Sequence, residues 1–184
     1  MIIPRPDQLQ QQSGLTLEIH TRSHNEELLA AAMRFGCPPW PQHDAYKLAD
    51  ASTALVASPD YFQRYPINKR RDWQHQCLIH ARRHSNDWQR VEQQQVFSRK
   101  PRKQLYFNSY DSAVQAAIHG LGILIATFPI STPELQSGRL QARSQQRYAC
   151  EEGFYLVTKP NDHKAKHYQH LQHWPRDLVQ QLST

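Results

Sequence analysis

Asn108-Ser109-Tyr110-Asp111-Ser112 sets an amide, hydroxyls and a carboxylate side by side, directly ahead of small apolar residues that recur at helical spacing. Groups of this kind at the front of a helix do one of two jobs. They cap backbone amides that lack intrahelical partners, or they hold the carboxylate or other anion of a bound molecule at the positive end of the helix. The residues alone leave both open. Arg34 and Gly36 close the apolar run Ala31 to Gly36. An arginine there can grip an acidic ligand through bidentate hydrogen bonds, or form a surface salt bridge. Thr127 and Phe128 end a second apolar run, where they can line a cleft wall, although Phe128 better suits a core position.

Other reactive side chains carry less. His167, His170 and His173 are spaced three apart on an expected helix, yet no acidic or cysteine partner stands at ligand spacing, so no metal is expected. Cys37, Cys77 and Cys150 are odd in number and form no CxxC, which suggests neither a disulfide framework nor a zinc finger and fits a reducing cytoplasm. Neither Cys37 nor Cys150 has a base, an orienting group and an oxyanion hole near it in sequence. No enzyme and no cofactor are expected.

The elements that must position these groups follow from periodicity and capping. Pro4 to Gln12 reads as a helix stopped by Gly14, Leu15 to Thr21 as a half-buried strand, and Ser23 or Asn25 as the cap of a helix carrying Glu26 and Glu27. Ala31 to Gly36 is a strand followed by the proline-broken loop Cys37 to Pro41. Thr53 to Ala57 is a strand closed by Ser58-Pro59, Arg71 to Trp73 a small helix, and Cys77 to His80 a strand. Ser85 to Lys103 is a polar surface excursion around Trp88, and Gln104 to Phe107 a strand leading into the helix. Ala113, Ala116, Ala117 and Leu121 form one helical face for packing on a sheet, before a glycine hinge and a buried strand. Thr132 caps a short helix with Pro133 first and Gly138 as its stop, Gly153 to Thr158 is a last strand, and His163 to Leu182 closes the chain. Alternating strands and helices predict an α/β fold with a largely parallel sheet or two.

At 184 residues and 21.5 kDa the chain suits one compact domain or two small lobes. A hydrophobic fraction of 39% thins the core without implying disorder, because aromatic residues, leucine and isoleucine recur along the length. The net charge of +6 is concentrated in Lys69 to Arg71, Arg82-Arg83 and Arg99 to Lys103, which read as solvated loops or as a surface for an anionic partner. The start MIIPRPDQLQQQ lacks the apolar core of a signal peptide, and no run approaches the ~20 apolar residues of a membrane span.

Several blocks carry a family resemblance. SAVQAAIHGLGILIATFPI, with its AxxGxGI core, and the later ELQSGRL resemble the effector-binding region of LysR-type transcriptional regulators. IIPRPDQLQ, AAMRFGCPPWP, TALVASPDYF and GFYLVTKP resemble further blocks of that family in the same order, the RFG and SPxY details being most similar to the subgroup of the glycine-cleavage activator and the β-lactamase regulator. The resemblance implies a two-lobed, type II periplasmic-binding-protein-like fold with a small-molecule cleft. Lobe one would be residues 1–57 plus 157–184 and lobe two 58–156. It also implies that Asn108, Ser109, Asp111, Ser112, Arg34, Gly36, Thr127 and Phe128 face the effector, an amino acid or muropeptide.

A homo-oligomer pairing the Pro4 to Gln12 helix with lobe two of another chain is expected on the same basis, as is DNA contact only through a helix-turn-helix domain absent from these residues. The family's first effector-domain strand would precede Met1, and Ala30 stands where the family usually has an aspartate. Rival readings are a stand-alone binding protein, a basic nucleic-acid-binding protein, and a partner forming inactive mixed dimers with an intact regulator.

Overall fold

The computed structural model describes residues 31–81, 87–93, 101 and 103–160. The expected elements before Ala31, the histidines of the C-terminal segment, and the basic pairs Arg82-Arg83 and Arg99-Lys100 lie outside the described residues. In chain order the elements are β1 (Ala31–Gly36), β2 (Asp44–Ala57), α1 (Pro59–Arg64), a 3-10 helix (Arg70–His75), β3 (Cys77–Ala81), α2 (Asp87–Gln93) and β4 (Lys103–Phe107). They continue with α3 (Tyr110–Ile118), β5 (Ile123–Phe128), α4 (Thr132–Gln136), β6 (Gln141–Ala142) and β7 (Tyr148–Thr158).

The chain divides into two compact units, one of residues 1–51 and 149–184, the other of residues 52–148. In the first, β1 runs antiparallel to β7, from Ala31 opposite Thr158 to Gly36 opposite Gly153, and β7 neighbours β2. Phe35 faces Phe154 across this ladder with ring centroids 5.0 Å apart, and Trp40 meets Tyr155 edge-on at 5.0 Å. Such pairs add to the stability that burial alone confers.

The second unit is an α/β layer. Its strands run in the order β2, β5, β3, β4, with β6 paired to the end of β2. β3 is parallel to both β4 and β5, but β2 is antiparallel to β5 and β6. The sheet is therefore mixed where a largely parallel one was expected, because β2 enters it from the other unit rather than through a crossover helix.

Strand alternation sends successive side chains to opposite faces, and two cores result. Leu124, Ala126 and Phe128 of β5 join Ala54, Val56 and Ile79 beneath α3, whose Ala113, Ala116 and Ala117 allow close approach. Ile123 and Ile125 point the other way, with Leu55 and Leu78, toward Tyr61, Trp73, Trp88 and Val91. Every residue of β5 is buried. Each aliphatic side chain there contributes about 1.5–3 kcal/mol by leaving water.

Three further sequence expectations are corrected. The segment around Trp88 is not a surface excursion throughout: α2 forms there and buries Trp88 and Val91, and Trp88 Nε1 donates to the Ile79 carbonyl at 2.8 Å. Leu121 is not on the packed face of α3. The helix stops at Ile118, Gly120 takes φ 72°, and the Gly120 and Leu121 amides donate back to the Ala117 and Ala116 carbonyls, swinging Leu121 out to 51% exposure. This is a glycine-closed helix end, a geometry that a side chain at Gly120 would strain. Finally, Ser131 and not Thr132 occupies the N-cap position of α4, and Thr132 is its first residue.

Candidate functional site

β4 ends at Phe107, and the chain turns through Asn108 into α3. Ser109 is the N-cap, with extended backbone angles, and its Oγ accepts from the Ser112 amide at 3.1 Å. Its own hydroxyl donates to Ser112 Oγ at 2.9 Å. The Ser109 hydroxyl thus spends its proton and one lone pair on the first turn of the helix, and its second lone pair remains. Ser112 is exposed, and its hydroxyl proton has no acceptor among the described residues. Asn108 and Asp111 are exposed beside it, and Asp111 adds the first-turn negative charge that a helix dipole favours.

Tyr110 anchors this tip from below. Its Oη accepts from the Thr127 amide at 2.7 Å and shares a 2.6 Å hydrogen bond with Ser131 Oγ. Burial pushes the Tyr110 phenol above its ordinary value, opposed by the hydrogen bonds from Ser131 and Thr127. Ser131 makes no side-chain cap bond to α4; its hydroxyl is turned to Tyr110 instead. The residues from Asn108 to Ser112 and the pair Thr127-Phe128 are thus brought together through Tyr110, a role that the sequence reading did not give it. The signal was an aromatic ring with a polar tip in the first turn of a helix packed on a sheet.

Thr127 is fully buried and Phe128 lies in the core beneath α3. Arg147 covers the Phe128 ring, its guanidinium carbon 3.5 Å from the centroid. Arg34 sits in β1 opposite Tyr155, and Gly36 ends that strand opposite Gly153; both belong to the other unit. The tip of α3 thus presents the exposed Ser112 hydroxyl and the positive end of a helix dipole. Among the described residues no group of histidine, cysteine or acidic side chains could hold a metal ion, and no helix is long and apolar enough to cross a membrane.

Open α/β sheets commonly bind ligands outside the carboxyl ends of their parallel strands. The comparisons give the lineage of this chain. The LysR substrate binding domain pattern matches residues 7–179, and the chain belongs to that family. It is 28% identical over 128 residues to the glycine cleavage system transcriptional activator homolog of Haemophilus influenzae, a match covering 69% of this chain and 42% of that protein. The chain thus spans less than half the length of that relative.

Among solved structures it is similar to the effector domain of the transcriptional regulator AmpR of Pseudomonas aeruginosa, with TM-score 0.76, 19% identity, and 96% and 87% of the two chains covered. The AmpR effector binding domain from Citrobacter freundii gives TM-score 0.75 at 18% identity, covering 97% of this chain and 90% of that one. These likenesses show the fold, which is the type II periplasmic-binding-protein-like α/β fold of transcriptional-regulator effector domains.

Proposed function

We propose that this chain is the small-molecule sensing domain of a cytoplasmic LysR-type transcriptional regulator. Effector is held at the α3 tip by Asn108, Ser109, Asp111 and Ser112, with Thr127 and Phe128 beneath them. Arg34 and Gly36 are assigned to effector binding on the same family resemblance. The observation that carries the reading is the tip itself. Within a chain matched by the family over residues 7–179, the parallel strand β4 delivers an exposed Ser112 hydroxyl and a positive helix end to solvent.

Binding biases a two-state element. The chain self-associates, and effector changes the geometry of the oligomer and so the grip of a helix-turn-helix domain on promoter DNA. The effector is an amino acid or a muropeptide, the choice that the resemblance of the RFG and SPxY details to the glycine-cleavage-activator and β-lactamase-regulator subgroup implies.

A thermal-shift screen of amino acids and muropeptides tests this. A ligand that binds only the native state stabilises by about 2.7 kcal/mol at a hundred times its dissociation constant. A compound of either class raising the melting temperature supports the reading; silence across both classes counts against it.

A further inference from the structure

Three arginines follow α4, and their surroundings differ. Arg139 pairs with the buried Glu134, Nη2 to Oε1 at 3.2 Å, and Arg143 lies over Trp73 at 5.3 Å, on the opposite face of the sheet from α3. Arg147 is exposed, stacks on Phe128 at 3.5 Å, and has no carboxylate partner among the described residues.

The location matters. Phe128 is the last residue of β5 and packs in the core with Ala113, and partly buried Tyr110 packs against the same cluster. The preceding amide, Thr127, is bonded to Tyr110. The stacked guanidinium therefore occupies the end of the sheet from which α3 departs, outside the carboxyl ends of parallel β3, β4 and β5.

We propose that Arg147 is a ligand-recognition residue that grips a carboxylate of the effector, a specificity element resting on the functional reading above. An aromatic face fixes a guanidinium by cation–π attraction. The N–H groups at its edge then remain available as a planar fork that fits a carboxylate bidentately. Burial lowers the Arg147 pKa, yet an arginine stays cationic at neutral pH, so the fork keeps its charge. A single guanidinium matches a singly charged carboxylate. A phosphate dianion would call for a second cation, and Arg139 and Arg143 are engaged elsewhere.

The experiment compares glycine, L-glutamate and D-alanyl-D-alanine with their carboxamides, and with inorganic phosphate, by thermal shift and calorimetry. It uses the wild-type chain, Arg147→Gln, Arg147→Lys and Arg143→Gln. A carboxylate is expected to bind about tenfold or more tightly than its amide, with about the same loss in Arg147→Gln, a smaller loss in Arg147→Lys, and no loss in Arg143→Gln. Melting temperatures without ligand establish that each variant is folded, and Arg147→Lys keeps the charge should the glutamine variant unfold. Equal binding of acid and amide, an unchanged Arg147→Gln, or a preference for phosphate overturns the assignment. So does silence from the carboxylates beside a hit among uncharged compounds, and each of these leaves small-molecule sensing intact. Silence from every compound of the wider screen removes the functional reading as well.

Discussion

Tyr110 Oη stands 2.7 Å from the amide nitrogen of Thr127 and joins the first turn of α3 to the end of β5. The same oxygen bonds Ser131 Oγ at 2.6 Å, so one phenol satisfies a strand and the entry to α4. Tyr110→Phe keeps the ring but leaves a buried amide without its acceptor. We expect a loss of about 1–3 kcal/mol. Urea denaturation should show a lower midpoint with an unchanged slope.

Capping and binding can be separated at the α3 tip. Ser109→Ala removes the acceptor for the Ser112 amide and should cost about 0.5–2 kcal/mol. Ser112→Ala leaves that cap in place and should change stability by less than about 0.5 kcal/mol. Under the proposed function it nevertheless weakens the ligand-induced thermal shift. A ligand response in Ser112→Ala equal to wild type would count against the tip as the site.

Gly122 marks where β5 meets β3. A Cβ there would lie 2.6 Å from the Cys77 carbonyl oxygen and 3.1 Å from Ile79 Cγ1. Gly122→Ala must spread two strands that pair through Leu78–Ile123 and Ile79–Leu124. Overpacking of this kind costs about 1–3 kcal/mol. A melting temperature lowered by several degrees, read by calorimetry, is the expected result.

Trp88 holds α2 on the sheet. The residue is 5% exposed, and its ring meets that of Trp73 edge-on at 6.5 Å. Trp88→Ala should cost about 3–5 kcal/mol. Trp88→Phe should lose less, chiefly the hydrogen bond to the Ile79 carbonyl.

Alkaline pH should destabilise the fold. Burial raises the Tyr110 and Tyr61 phenols above 10.0 and the Cys77 thiol above 9.0. In each case the folded chain holds the proton more tightly than the unfolded one. Their contribution is therefore whole below the unfolded values, and it declines as pH rises from those values through the raised ones. Urea midpoints measured from about pH 8 to pH 11 should fall, and more shallowly in Tyr110→Phe than in wild type.

Long apolar runs and glycine stops were legible in the sequence. Ile123 to Phe128 reads as a buried strand because all its residues are buried, and β1 and β4 appear where the apolar runs place them. The start of β2 was not visible, because Asp44 to Lys47 are exposed and carry no alternation. α1 did leave a trace: Ser58-Pro59-Asp60 is a cap, a first-turn proline and a first-turn acid. α2 left only the pair Trp88 and Val91, one helical turn apart within a polar stretch. At the site, the serines and the helix start were readable from order alone. Arg147 was not, since it meets Phe128 only through the folded geometry.

The alternation of β5 between two cores sets where this domain can change in length over evolution. One residue inserted in that strand would exchange Leu124 and Ala126 for Ile123 and Ile125 beneath α3, whose alanines are matched to the neighbours they have. Insertions and deletions should therefore be purged from β5. They should accumulate instead in the exposed turn from Ser144 to Gln146, between β6 and β7.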